Sequence, residues 1–398
     1  MTNIAILGFG VVGGGTAELI SKNRKEVESL GGDAVNIKYI LDLRDFPDSP
    51  FSDKIVHDYN VILNDPEVSV ICELMGGSHP AYEYTLAALK AGKNVVTSNK
   101  EVVANFGDEF LKVANENGVA YRFEAAVGGG IPVISPLISF IKQNNISEIR
   151  GILNGTTNYI LTKMFTLGDS FESALADAQA RGYAERNPDA DVLGLDAARK
   201  ISILGAITTG TLVAEEKIYT EGITGIRSAD VRSMEKIGFS IKLVGRCQVK
   251  DGKLSKIFVA PFALNGFEPL SSVTGVYNAI EILGEPIGNV MFYGKGAGAG
   301  ATASAVVGDV VQIMRTAGNY AQPSFVKGEP EESFSDFSSR HYLAFDKATR
   351  SEIIKAFSEC DEIESEECAV ITASLSESEL SSILASLSAK PLSHIRVL

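Results

Sequence analysis

The chain has 398 residues, 45% of them hydrophobic and 22% charged, enough for two or three domains that each bury a core. A formal net charge of −14 leaves no basic surplus to neutralise phosphates, which argues against a nucleic-acid partner or an anionic membrane surface. The four cysteines show no C-x-x-C pair, the opening MTNIAILGFG lacks a signal-peptide pattern, and no apolar run reaches the roughly 18–20 residues of a membrane span, so a reduced, soluble, cytoplasmic protein is expected.

Residues 3–7 read as a short buried strand, 8–15 as a glycine-rich turn and 16–30 as a helix stopped by Gly31-Gly32. A strand at 37–43 completes a βαβ unit, which implies a parallel sheet with right-handed crossovers. Strands at 68–74, 94–97 and 119–124 follow, with helices at 80–91 and 101–117 between them. The expected fold class is therefore α/β, a Rossmann-type doubly wound parallel sheet over 1–135, completed by a helix at 302–318. The triple glycine 128–130 marks a hinge into an α+β substrate and dimerisation domain at 136–301. Its expected strands are 148–153, 242–249, 255–261 and 289–293, and its helices 157–166, 171–181, 192–213 and 228–236. Polar residues 319–340 read as a linker. A small α/β module at 341–398 closes the chain, with strands at 341–345, 368–373 and 394–397 and helices at 347–358 and 376–387.

Gly8-Phe9-Gly10-Val11-Val12-Gly13 is a G-x-G-x-x-G placed between a strand and a helix, where its chemistry has meaning. The first glycine allows the tight turn, the second lets backbone approach a pyrophosphate, and the third lets helix and strand pack closely. At the end of the next strand an acid binds a ribose 2′-OH, whereas arginine accommodates a 2′-phosphate. The sequence offers both, in Asp42 and Arg44. If the strand runs to Leu43, Arg44 faces the ribose and NADP is favoured; Asp42 in that place would favour NAD.

Several segments together resemble the homoserine dehydrogenase family. They are Glu73-Leu74-Met75-Gly76-Gly77, the run from Lys93 through Thr97-Ser98-Asn99-Lys100, Asn154-Gly155-Thr156-Thr157-Asn158-Tyr159, Gly182-Tyr183-Ala184-Glu185, Gly194-Leu195-Asp196-Ala197-Ala198-Arg199-Lys200, and Gly296-Ala297-Gly298 leading into Thr302. They keep the family's order and cover residues 1–318. Departures fall at Ser98, Asn187, Leu193 and Lys295, none of them assigned to catalysis.

The resemblance implies reversible, nicotinamide-dependent interconversion of L-aspartate 4-semialdehyde and L-homoserine, a step toward threonine, methionine and isoleucine. Hydride addition to an aldehyde builds negative charge on oxygen, which must be stabilised and protonated. A lysine of lowered pKa does both. By resemblance Lys200 is that group, oriented by Asp196 at i−4 and assisted by Lys100 beside the nicotinamide. A surface ion pair and a helix-start charge are the plain alternatives. Glu185 matches the family's substrate-binding carboxylate, with Asn154, Thr156 and Thr157 as neutral partners. Gly76, Ser98, Lys100 and Gly296 join the glycine turn and Arg44 on the cofactor. Glu124, Val127, Gly129 and Ile131 resemble a monovalent-cation site of mainly backbone carbonyls, for sodium, or else form a structural turn. The four histidines are scattered and suggest no transition-metal cluster.

The terminal module resembles an ACT-type domain short of one strand, serving an amino-acid effector or packing and dimerisation. A homodimer or homotetramer is the family's expectation. Two rival readings stand. An acyl-phosphate-forming semialdehyde dehydrogenase would need an exposed, activated cysteine, and Cys72 and Cys247 lie in apolar strands. A nucleotide-sensing protein would have no reason to carry Lys100, Glu185, Asp196 and Lys200 together.

Overall fold

The computed structural model describes residues 1–316 and 322–398 and divides into two compact units. The first comprises 1–144, 202–214 and 294–328, and the second 145–201, 215–293 and 329–398.

The first unit is built on a six-stranded parallel sheet in the order Ile55–Val56, Val35–Leu41, Thr2–Leu7, Val68–Glu73, Asn94–Thr97, Tyr121–Arg122. That is the 3-2-1-4-5-6 order of a doubly wound dinucleotide fold, in which ligands meet the carboxyl ends of the strands where the order reverses. The central strands are buried on both faces, hence their unbroken Ile, Val and Leu runs. One deviation matters. The second strand stops at Leu41, not Leu43, so the first residue beyond it is Asp42.

The helix expected at 16–30 is two helices, Val11–Lys22 and Arg24–Gly31, broken at Asn23. A later helix, Ala299–Thr316, lays Val306, Val310 and Ile313 on Ile4, Ile6, Ala17, Ile20 and Val27. Each such side chain contributes about 1.5–3 kcal/mol by leaving water. This burial explains why a segment so distant in sequence belongs to the first unit. The last two positions of the helix expected at 302–318, and 319–321 of the expected linker, lie outside the described residues.

The remainder of that linker is anchored rather than loose. Val326–Lys327 pairs in parallel with Thr211–Leu212, and Phe325 is buried. In the second unit Phe334 stacks on Tyr219 at 3.8 Å and Phe337 is buried. Polar neighbours disguise three aromatic anchors.

The second unit is a mixed sheet. Its main path runs Gly288–Lys295, Tyr277–Glu285, Asn145–Ile152, Phe239–Lys250, Lys253–Asn265, Ser393–Val397, Ser338–Phe345, Cys368–Thr372, Cys360–Ile363. Two strands differ from expectation, Tyr277–Glu285 and Cys360–Ile363. The second gives the terminal module strand–helix–strand–strand–helix–strand order, the split βαβ arrangement. The module is also not set apart. Ser393–Val397 pairs in parallel with Lys253–Asn265, with Phe262 opposite Arg396. Among the described residues no helix is long and apolar enough to cross a membrane.

Candidate active site

In the first unit the glycine turn follows the strand Thr2–Leu7. Gly8 has φ +91, open to glycine but strained for other residues. A Cβ on Gly13 would sit 1.9 Å from the Gly8 carbonyl oxygen, so only glycine lets the helix start this close to the strand. The exposed Gly10 caps Val11–Lys22 without a side-chain bond. The first intrahelical bond of that turn is Gly14 N–H to Gly10 O at 2.8 Å, so the Val11 and Val12 amides make no intrahelical bond at the positive end of the helix. Phe9 turns its ring against Phe46 and Phe51.

Asp42 is spent locally. Its carboxylate accepts the Phe9 N–H at 2.8 Å and both Nε and a terminal nitrogen of Arg44 at 3.0 Å. The guanidinium hydrogen bonds hold the Asp42 carboxyl far below the usual carboxylate range. Arg44 is exposed and lies over the Phe46 ring at 5.0 Å.

Gly76 is exposed on the turn after Val68–Glu73, and Ser98 is half-buried after Asn94–Thr97, its N–H donating to Glu73 O at 3.4 Å. Lys100 opens the helix Lys100–Glu116, which Asn99 caps. These residues all stand at the carboxyl edge of the sheet.

After the strand Tyr121–Arg122, the buried Glu124 carboxylate accepts three backbone N–H groups, from Val133, Ile134 and Ser135, at 2.7–2.8 Å. Its own N–H donates to Asp309 at 2.8 Å. Val127, Gly129 and Ile131 are buried around it, with Gly129 at φ +58. A Cβ on Gly129 would fall 2.5 Å from the backbone of Gly296, which explains the glycine at 129.

The second unit holds the charged cluster. Lys200, on Leu195–Thr209, is buried and donates to Asp196 Oδ2 at 2.7 Å and to the Leu153 carbonyl at 2.8 Å. Asn154 caps Gly155–Leu167 through its Oδ1 and the Thr157 N–H at 2.8 Å. Its amide nitrogen donates to Asp196 at 2.8 Å and to Asp191 Oδ1 at 2.7 Å. Asn154 thus separates two carboxylates that would otherwise repel. Burial, and then the Asp196 charge, push the Asp191 carboxyl above its ordinary value. Thr156 donates to the Tyr183 carbonyl at 2.7 Å and Thr157 to the Asn154 carbonyl at 3.1 Å, so both hydroxyls serve the fold of this turn. Glu185 is exposed on the following loop.

The sequence reading therefore finds Asn154, Asp196 and Lys200 in one cluster, and it passes over Asp191. The signal for Asp191 was faint, an acid in the short helix Asp189–Val192 just after Pro188. The thiols of Cys72 and Cys247 are fully buried and pushed up to about 12 by desolvation, so neither resembles a nucleophile. The histidines are less scattered than the sequence implies. His341 Nδ1 and His394 Nε2 lie 2.9 Å apart in the terminal module, brought together by pairing of strands 53 residues distant. Glu377 lies near them, but its carboxylate is paired with Arg396.

A parallel sheet in this order, with a G-x-G-x-x-G turn between its first strand and first helix, is the frame of a dinucleotide-binding α/β protein. Comparison with known proteins narrows it. Residues 8–124 match the family profile described as homoserine dehydrogenase, NAD binding domain, and 132–311 match that of homoserine dehydrogenase. The homoserine dehydrogenase of Synechocystis is 42% identical over 317 residues, covering 78% of this chain and 73% of its own. A homoserine dehydrogenase structure from Thiobacillus denitrificans superposes with a TM-score of 0.91 at 31% identity, covering 100% of this chain and 98% of that one. A hyperthermophilic archaeal homoserine dehydrogenase in complex with NADPH gives a TM-score of 0.67 at 30% identity, over 78% of this chain and 97% of its own. The chain belongs to the homoserine dehydrogenase family.

Proposed function

We propose that the protein interconverts L-aspartate 4-semialdehyde and L-homoserine with NADP, in cytoplasmic biosynthesis of threonine, methionine and isoleucine. The observation that carries this reading is the buried Lys200, held between Asp196 and the Leu153 carbonyl. The bound nicotinamide supplies or accepts the hydride. In reduction the aldehyde carbon gains that hydride, its oxygen gains negative charge, and Lys200 gives up an Nζ proton to it, to be reprotonated from solvent. In oxidation Lys200 takes the hydroxyl proton. Asp196 and the Leu153 carbonyl fix the direction in which Nζ points, so little reorganisation is left for the transition state. By the family resemblance, Lys100 is the cation beside the nicotinamide. Glu185 receives the substrate ammonium, and the Asn154–Asp191 pair, with Thr156 and Thr157 shaping the turn, sets the polar wall beside it.

NADP is the preferred reading because Arg44 is exposed to a 2′-phosphate; against it, the strand's end at Leu41 puts Asp42 first beyond it, where an acid takes a ribose 2′-OH and favours NAD, and the two side chains are bound to each other. A sodium ion at the hinge would rely on carbonyls of Glu124, Val127, Gly129 and Ile131, since the Glu124 carboxylate is taken by three amides. The terminal module, in its split βαβ order, is read as ACT-like. A homodimer or homotetramer is the proposed assembly.

Absorbance at the reduced-nicotinamide band, with L-homoserine and NADP or NAD, tests the core of this. Lys200→Ala should lower kcat about 100- to 10,000-fold while cofactor affinity holds. Arg44→Ala should raise KM for NADP about 10- to 100-fold, the worth of a charged hydrogen bond, and leave NAD unchanged. A folded protein that binds cofactor but never turns over homoserine would overturn the enzyme reading and favour a sensor.

A further inference from the structure

Two turns at the carboxyl edge of the first unit's sheet carry residues assigned to the cofactor, Gly76 on one, Ser98 and Lys100 on the other. A buried acid ties them together. Glu73 ends the strand Val68–Glu73 and is fully shielded from solvent. Its Oε2 accepts the Thr97 hydroxyl proton at 2.6 Å, and its Oε1 accepts the Met75 N–H at 2.8 Å. The Thr97 oxygen in turn accepts the Asn99 N–H at 2.9 Å. The Asn99 amide nitrogen crosses back to the Gly77 carbonyl at 2.7 Å, while its Oδ1 caps the Val102 N–H at 3.4 Å. The path Glu73–Thr97–Asn99–Gly77–Met75–Glu73 is a closed ring of hydrogen bonds and backbone, and Lys100 is the residue that follows Asn99.

A buried carboxyl is an expensive way to hold two turns. Desolvation pushes the Glu73 carboxyl up to about 7, against the Thr97 and Met75 hydrogen bonds that favour its charge. A well-packed apolar side chain of this size is often no worse for stability. What an apolar side chain does not do is fix the relative register of two loops, since dispersion contacts are non-directional where hydrogen bonds are not.

We infer that Glu73 is a positioning residue of the reaction: through Thr97 and Asn99 it sets where Lys100 begins its helix relative to the 74–77 turn. This rests on the reading of Lys100 as a group beside the nicotinamide. Glu73 touches neither substrate nor cofactor, and it acts through the backbone it holds. A misplacement of about 1 Å at a group acting in the transition state costs about 100-fold, so losing the ring slows the chemical step more than it weakens binding.

The test uses the full chain, L-homoserine and NADP, with Thr97→Val, Glu73→Leu, Glu73→Gln and the double variant Glu73→Leu/Thr97→Val. Thr97→Val is nearly isosteric and removes only the middle link, so it carries the test should Glu73→Leu not fold. Thr97→Val and Glu73→Leu should each lower kcat about 10- to 100-fold and enlarge the primary isotope effect from homoserine deuterated at the carbinol carbon. NADPH affinity, by fluorescence, should change less than threefold. Glu73→Gln still accepts from Met75 and bonds Thr97, so it should keep kcat within about threefold. The double variant should be no slower than the worse single one, because one ring is broken only once. An unchanged kcat and isotope effect in folded Thr97→Val would overturn the inference. So would a Glu73→Gln as slow as Glu73→Leu, or additive losses in the double variant. Failure of the wild-type chain to oxidise homoserine would instead sink the functional reading beneath it.

Discussion

The two units are built around different kinds of group. In the first, the telling features are backbone: the amide end of Val11–Lys22, and glycines at 8 and 13 that keep side chains out of the way. In the second, they are charged side chains held in buried or half-buried networks. Arg150 is paired with Glu281 and Glu268, each at 2.7 Å. Arg246 is bound to Glu148 at 2.6 Å and lies over Phe262 and Phe337. Arg396 joins Glu221 and Glu377 at 2.6 Å and is held against Tyr219 and Phe334. Arg227 grips Glu367 at 2.8 Å and the fully buried Asp230 at 2.6 Å. The backbone features are compact and local. The networks spread over many elements, each of which must be in place before the charges balance.

That difference is open to attack. The largest effect is expected at Arg396. Arg396→Met leaves Glu221, a third exposed, and the mostly covered Glu377 without their fully buried cation, and should cost about 3 kcal/mol of unfolding free energy in urea. The exposed Arg44, paired only with Asp42, should cost within about 0.5 kcal/mol when replaced by alanine. Equal losses would erase the contrast between the units.

Next in size is Gly13→Ala. A Cβ 1.9 Å from Gly8 O forces the turn open, an overpacking penalty of about 1–3 kcal/mol. It should appear as a 10- to 100-fold weaker NADPH affinity by fluorescence titration, since about 1.4 kcal/mol is a factor of ten. The Asp196–Lys200 cluster lies in the other unit and should keep its own fold. Unaltered affinity would mean the turn is not the phosphate cradle.

The smallest effect is a divergence with pH. In the first unit, desolvation raises the carboxyls of Glu73 and Asp309 to about 7 from ordinary values of 4.5 and 3.8. The folded state then holds protons the unfolded state has lost, so this contribution is full below about pH 4 and fades as pH rises toward 7. In the terminal module, burial lowers His341 and, further, His394 below the ordinary 6.5. There the unfolded state binds the extra protons, and stability is lost as pH falls below about 6.5. Hydrogen exchange at pH 5.5 and 7.5, corrected for intrinsic rates, should show the segment 338–397 losing protection at the lower pH while 68–124 gains it, by about 1 kcal/mol each. Changes of the same sign in both segments would refute the assignment.

The same division governs how much was legible in the sequence. The dinucleotide fold announces itself because its signals are local: a glycine turn between a strand and a helix, and apolar runs a few residues long. The strand end was misjudged by two residues because Leu43 continues the apolar pattern, although it is nearly fully exposed in the loop. The strand Tyr277–Glu285 was missed because its buried stretch carries Asn278 and Glu281, the latter paired with an arginine 131 residues away. No periodicity rule expects an acid there. Cys360–Ile363 is short, half-exposed and acidic, and lacks the alternation that marks a strand. The three phenylalanines of the supposed linker were hidden by the serines and glutamates around them. Lys100, Lys200 and Glu185 were singled out only through the resemblance of their motifs; spacing alone would have left Asp196 and Lys200 as an ordinary surface pair.

One join in the second unit also bears on how the chain is made. Arg396 closes onto Glu221 across 175 residues, and its strand supplies a neighbour to Lys253–Asn265. At a ribosomal rate of about 5–20 residues per second, Glu221 waits on the order of ten to thirty seconds for its cation. Through that interval part of Lys253–Asn265 is an open edge beside an unneutralised acid, the kind of surface on which nascent chains pair with one another. Chaperone demand during synthesis should therefore concentrate on this strand, and slowing translation beyond residue 265 should raise aggregation more than slowing it within the first 130 residues.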